Sequence, residues 1–211
     1  MKSITDIISP ITLLNGSHAN TGSTGQGCFM NVVAYLNGEP QITDDSPCVC
    51  VTVKKIAIWF NDFLKNTERH ALIPFIERAM GSSTIDRDVM NGRLALMVDF
   101  AKKMSEIAAT NATSYAANAA SYATSYAARS DDTATYDTAA YAATNAARAA
   151  VATSAAVATS AYAAAYAEQQ SYKEQIKALT FEYLDAVLPR RACTEGAVMS
   201  RAKELVDLVA A

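Results

Sequence analysis

The residues best suited to nucleophilic or metal chemistry in this 211-residue chain are four cysteines, Cys28, Cys48, Cys50 and Cys193, and two histidines, His18 and His70. A thiol or hydroxyl nucleophile needs a base beside it and a third group to orient that base. Cys28 with His70 is the one Cys–His pairing to weigh, and no spacing in the sequence brings the two together. Zinc ligation is disfavoured because no Cys-x-x-Cys pair is present, and on a helix Cys48 and Cys50 would point about 200° apart. Asp44-Asp45 has the look of paired carboxylates, but helix capping explains both. Asn61-Asp62 follows Trp59-Phe60 inside an apolar helix, where an exposed rim is the plainer reading. Gly22-x-x-Gly25-x-Gly27 lacks the Lys-Ser/Thr ending of a phosphate loop, and no strand precedes it. No catalytic residue, metal ligand or cofactor is therefore assigned. An enzyme using Cys28, Asp44 or Asp62 is a remote alternative.

Composition narrows the partner classes. Charged residues make up 18% of the chain, the formal net charge is −3 and the pI is near 5.4. Nucleic-acid binding normally needs a basic face that displaces phosphate counterions, so no nucleic acid is expected. No polybasic run addresses an anionic membrane surface either. Residues 149–167 carry no charge over nearly the length of a bilayer crossing, yet Val151 and Val157 are their only strong apolar residues, so insertion gains little. The opening residues show neither the apolar core nor the cleavage site of a secretory signal. The expectation is a reduced, cytoplasmic protein.

Periodicity and punctuation predict an all-α chain. Residues 1–27 read as irregular, with Ile4, Ile7, Ile8, Ile11, Leu13 and Leu14 able to dock on a body and Asn15-Gly16 forming a turn. Residues 28–85 read as a small helical core. A helix from Cys28 to Asn37 is stopped by Gly38 and Pro40. Thr43-Asp44-Asp45-Ser46-Pro47 predicts the start of a second helix, which runs to about Lys65 with Val49, Val53, Ile56, Phe60 and Phe63 at helical spacing. Thr67-Glu68 opens a third, which Pro74 should bend or shift and Gly81-Ser82-Ser83 should end.

Residues 86–188 change character. About 44 residues from Asp86 to Arg129 predict a helix about 65 Å long. Ser130-Asp131-Asp132 breaks it, and a second helix runs to Leu188, the pair folding as a long antiparallel Ala-rich hairpin. Residues 189–211 give a last helix, from about Thr194 to Val209, that packs back. Along the arms, alanines such as Ala112, Ala116 and Ala119 form one stripe, with Asn111, Ser114 and Asn118 opposite. Such small residues let helices approach closely. Nine of the ten tyrosines lie between Tyr115 and Tyr183. Tyrosine supplies contact area and a polar handle at low entropic cost. The candidate binding surface is therefore Tyr115, Tyr122, Tyr126, Arg129, Tyr141, Arg148, Tyr162 and Tyr166, with Arg190-Arg191 as an anion contact, although groove-filling tyrosines on a stiff stalk would give the same pattern.

The first half also resembles a known module. Cys28, Ala34-Tyr35-Leu36, Gly38-Glu39, Thr43-Asp44, Pro47-Cys48-Val49, Asn61-Asp62, Leu72-Ile73-Pro74-Phe75-Ile76 and Asp86-Arg87 are similar to a module in uncharacterised proteins of tailed phages and actinobacteria. Those proteins often carry Ala-rich helical tails. The resemblance spans about residues 28–100 and implies no activity, so it transfers no functional residue. It implies a phage-borne accessory protein, in which case the host cytoplasm is its location. The leading expectation is a homo-oligomer that binds a host protein or other macromolecule. The rival is an oligomer that binds or sequesters a small, nucleotide-like signal by stacking on tyrosines and pairing with arginines.

Overall fold

The computed structural model describes residues 3–16, 25–84, 86–109, 162–188 and 196–210. Among them are seven α-helices and no strand, so the described part of the chain is all-α. Two compact units are present, one formed by residues 1–84 with 188–211 and the other by residues 85–187.

The first unit begins with α1, Ile4–Ile8, where the sequence reading expected irregular chain. Ser3 and Asp6 form a reciprocal capping box that satisfies two otherwise orphaned N–H groups, and this fixes the single turn. Ile4 and Ile8, four residues apart, are both fully buried. Thr5 donates from its backbone N–H (3.3 Å) and its hydroxyl (3.1 Å) to Glu77 Oε2, tying α1 to a segment 72 positions further on. Ile11 and Leu13 are buried beyond α1, and Leu14 N–H meets the Gly27 carbonyl at 2.9 Å.

α2, Phe29–Asn37, has Cys28 as its N-cap and ends on Gly38 at φ 74°. That left-handed residue suits glycine, and Glu39 N–H closes back on the Ala34 carbonyl. Phe29, Met30, Val32, Val33, Ala34 and Leu36 are all buried. α3, Val51–Phe63, starts four residues after Pro47, with Cys50 as N-cap. The Asp-Asp-Ser-Pro signal therefore does not open it. Long-range bonds set the start instead: Cys50 N–H donates to Ser82 Oγ (3.0 Å), and Ser83 N–H donates to the Cys48 carbonyl (2.9 Å). Val53, Ile56, Ala57 and Phe60 form the fully buried face. The Trp59 and Phe63 rings stack at 5.5 Å.

Where the sequence reading opened one helix at Thr67-Glu68, a 3-10 turn at Arg69–Leu72 leads into α4, Ile73–Ala79. Pro74 falls in the first turn of α4, where its missing N–H removes no intrahelical bond. The last helix, α7 (Gly196–Ala210), packs on α1 and α2 and buries Val198, Ala202 and Leu205.

The second unit contains α5, Arg87–Ala109, and α6, Tyr162–Val187. Asp86 Oδ1 accepts from Asp88 N–H (2.9 Å) and Val89 N–H (3.3 Å), giving α5 its cap. Leu94, Met97, Phe100, Ala101 and Met104 form one buried stripe, matched by Ile176, Thr180, Tyr183, Leu184 and Val187 of α6. The Phe100 and Tyr183 rings meet at 4.9 Å, and Lys103 lies 3.1 Å from both Asp99 and Glu182. The expected continuation of α5 to Arg129, the break at residues 130–132 and the alanine and Asn/Ser stripes lie outside the described residues.

Candidate functional site

The chemistry-bearing residues of the first unit gather at the N-terminus of α2 and in the connection from Gly38 to Cys50. Cys28 is 3% exposed. Its thiol donates to Asp44 Oδ1 at 3.2 Å, and Asn31 Nδ2 donates to the same oxygen at 3.2 Å. Asn31 Oδ1 in turn accepts from Cys28 N–H at 3.2 Å. Burial, and then the Asp44 carboxylate facing it, push the Cys28 thiol up to about 12. A nucleophilic cysteine needs the opposite, an electropositive setting that favours thiolate. Cys28 therefore acts as a donor that holds the connection to α2.

A second cluster sits beside it. The buried Ser46 hydroxyl donates to Glu39 Oε1 and lies 3.1 Å from Cys48 Sγ. Burial raises the Cys48 thiol too, with the Glu39 carboxylate acting in the same direction. Asp45, next to Asp44, points elsewhere and pairs with Lys54, which holds its carboxyl below the usual range.

Asn61 and Asp62 form the third group. Asn61 is 1% exposed, so the expectation of an exposed rim fails for it, whereas Asp62 is exposed. Asn61 Oδ1 accepts from Phe29 N–H (3.3 Å), its Nδ2 donates to the Leu14 carbonyl (2.9 Å), and its own carbonyl accepts from Arg69 Nε (2.7 Å). Asp62 Oδ1 accepts from Gly16 N–H at 2.9 Å. The two side chains thus join the N-terminal segment and α2 to α3, and the Asn61 main-chain carbonyl ties in the 3-10 turn. An unpaired buried amide costs about 1–3 kcal/mol, so bracing accounts for a polar residue inside an apolar helix.

Of the residues weighed for catalysis, the fold brings Cys28 and Asp44 together, while Asp62 is bonded into a different group. His70 is exposed on the 3-10 turn. Cys48 and Cys50 precede α3, so their separation around a helix is not what sets their positions. Among the described residues no group of three or more His, Cys, Asp or Glu could hold a metal ion. His18 and Cys193 lie outside them. Among the described helices none is long and apolar enough to cross a membrane.

Asn31 and Arg201 carry no mark in the sequence reading, and Ser46 figures there only in the helix-start signal. Asn31 stands three residues after Cys28, the spacing of a reciprocal cap, and this signal was readable. Arg201 Nε donates to the Leu36 carbonyl at 2.7 Å across 165 positions, which no local pattern announces. Burial and the neighbouring Glu204 carboxylate raise the Tyr35 hydroxyl at the same junction.

The binding candidates Tyr115, Tyr122, Tyr126, Arg129, Tyr141, Arg148, Arg190 and Arg191 lie outside the described residues. Tyr162 and Tyr166 fall in the first turns of α6, but their side chains are outside the description. Comparison with protein-family models, with curated proteins and with solved structures finds no match.

Proposed function

We propose that this chain is a phage-type accessory protein that acts by binding, through self-association and a host macromolecule, rather than by catalysis. The observation that carries this reading is how the reactive groups of the first unit are spent. Cys28, Asp44, Asn61 and Asp62 hold segments together, and the Cys28 and Cys48 thiols are pushed away from the thiolate form. The second unit leaves Val89 and Leu96, 41% and 36% exposed, on α5. An antiparallel pairing of long small-residue arms, extending α5 and α6, would give two copies a flat, tyrosine-rich contact surface. In this reading the protein works in the host cytoplasm.

Native mass spectrometry of gently purified protein tests the reading. An oligomer, or a defined complex with one host macromolecule, is the expected result. A strictly monomeric chain with no partner in pull-downs would sink it. The same spectrum addresses the sequestering alternative, which requires extra small-molecule mass and directs mutation to Tyr141, Arg148 and Tyr166. The hollow between α5 and α6, lined by Leu96, Phe100, Lys103 and Tyr183, has a volume of about 30 Å³. That hollow has room for a water or two.

A further inference from the structure

The junction between α7 and the rest of the first unit has the anatomy of a helix seated in a groove. The walls are α1 and α2, and the helix inserts Val198, Ala202 and Leu205, all buried. Two glycines admit it. Gly25 has φ 67°, and a Cβ placed there would lie 2.9 Å from Leu208 Cβ and 3.0 Å from the Val209 backbone nitrogen. Gly38 has φ 74°, and its Cβ would lie 2.9 Å from the Arg201 guanidinium carbon. Gly25 therefore favours glycine twice over, by backbone conformation and by the closeness of α7, whereas Gly38 favours it by conformation, its Cβ meeting only the far end of the flexible Arg201 side chain.

The polar contact is equally specific. The last carbonyls of a helix lack intrahelical donors. At the end of α2, Gly38 N–H takes the Tyr35 carbonyl and Glu39 N–H takes the Ala34 carbonyl. The Leu36 carbonyl receives the Arg201 Nε–H at 2.7 Å. A guanidinium at this position also complements the negative end of the α2 dipole. The groove thus reads three features of its occupant: an apolar i, i+4, i+7 face at Val198, Ala202 and Leu205, an arginine one turn into it, and a close-packed end at Leu208-Val209.

The sequence places residues 85–187, a compact unit of their own, between the groove and its ligand. Domain swapping, in which identical copies exchange one such element, is a low-cost route to dimers. We propose that the α1–α2 groove is a docking site for α7 as such, and that it accepts α7 from a second copy of this chain, coupling copies by reciprocal exchange. This deepens the self-association reading and rests on it.

Two full-length variants test the exchange. Leu205→Asp buries an uncompensated charge and unseats α7, leaving the groove empty. Gly25→Ala obstructs the groove and leaves a competent α7 free. Light scattering on each variant alone, and on an equimolar mixture, should show a 1:1 heterodimer that forms only in the mixture. A fluorescent peptide spanning residues 196–210 gives a second reading that does not depend on the Gly25→Ala variant folding. It should bind the Leu205→Asp protein saturably, and the same peptide carrying Arg201→Ala should bind about tenfold more weakly, the scale of one charge-assisted hydrogen bond. A wild-type oligomer without heterodimer formation overturns the exchange, whether or not the peptide binds, while leaving self-association by another face. A chain that is monomeric alone and in the mixture overturns both.

Discussion

Asp44 and Asp45 are neighbours with different roles, and the difference can be measured. Asp45 is exposed and pairs with Lys54, a type of contact worth about 0–1 kcal/mol. Asp44 takes the protons of the Cys28 thiol and the Asn31 amide at the start of α2. In urea unfolding, Asp45→Ala should therefore leave the midpoint nearly unchanged, while Asp44→Ala should cost about 1–3 kcal/mol by removing the acceptor that the Cys28 thiol and the Asn31 amide share. Equal effects would mean that the Cys28 bond contributes nothing. Cys28 also fixes a pH dependence. Its thiol ionises near 9.0 in ordinary surroundings and near about 12 in the fold, so between those values the unfolded chain binds fewer protons than the folded one. The stability it contributes is whole below pH 9 and is lost as pH rises through the folded value. Relative to Cys28→Ser, which keeps a donor for Asp44 but does not ionise there, the wild type should lose stability from pH 9 upward. A difference that stays constant between pH 7 and 11 would exclude the thiol as the cause. The sequence singled out Cys28, Asp44, Asn61 and Asp62 by type. It did not reveal their roles, because the partners of Asn61 lie 32 and 47 positions away.

At the scale of elements, helices whose punctuation is local were legible. α2 ends where Gly38 predicts, because a left-handed residue closes the last turn within the segment itself. α1 escaped notice because five residues hold too little periodicity, and Ser3-x-x-Asp6 was the one readable mark. The start of α3 was misplaced because Asp44-Asp45-Ser46-Pro47 is a sound local signal overridden by Ser82 and Ser83, which pin residues 48–50 from more than thirty positions away. The α1 cap is a prediction at this scale. Ser3→Ala removes the acceptor for Asp6 N–H and should cost about 1 kcal/mol. Hydrogen exchange should place the loss first at the amides of residues 4–8, since α1 is one turn held by its cap and by Ile4 and Ile8. Uniform destabilisation of α2–α4 instead would mean that α1 is part of the cooperative core and not an appended turn.

For the whole molecule, the two units differ in how their apolar surface is covered. In the first, Phe29, Phe60, Ile56, Leu72 and Ile76 are fully buried among several helices. In the second, the described core is one stripe on α5 against one on α6, and Leu96 stays partly exposed beside it. Local opening follows the density of buried apolar contact, so amides of α5 and α6 should exchange at lower free energy than those of α2 and α3. Self-association through the second unit would change that order in a concentration-dependent way, because a partner that binds only the closed form stabilises it by mass action. Protection of α5 amides should then rise with protein concentration while that of α2 stays level. Leu96→Glu, which places a charge on the exposed apolar site without touching the Leu94–Met97–Phe100 stripe, should abolish the rise. Protection rising in α2 while that of α5 stays level would locate the contact at the α7 groove instead. Protection independent of concentration in both units, in a chain that sediments as a monomer, would remove self-association from the function altogether.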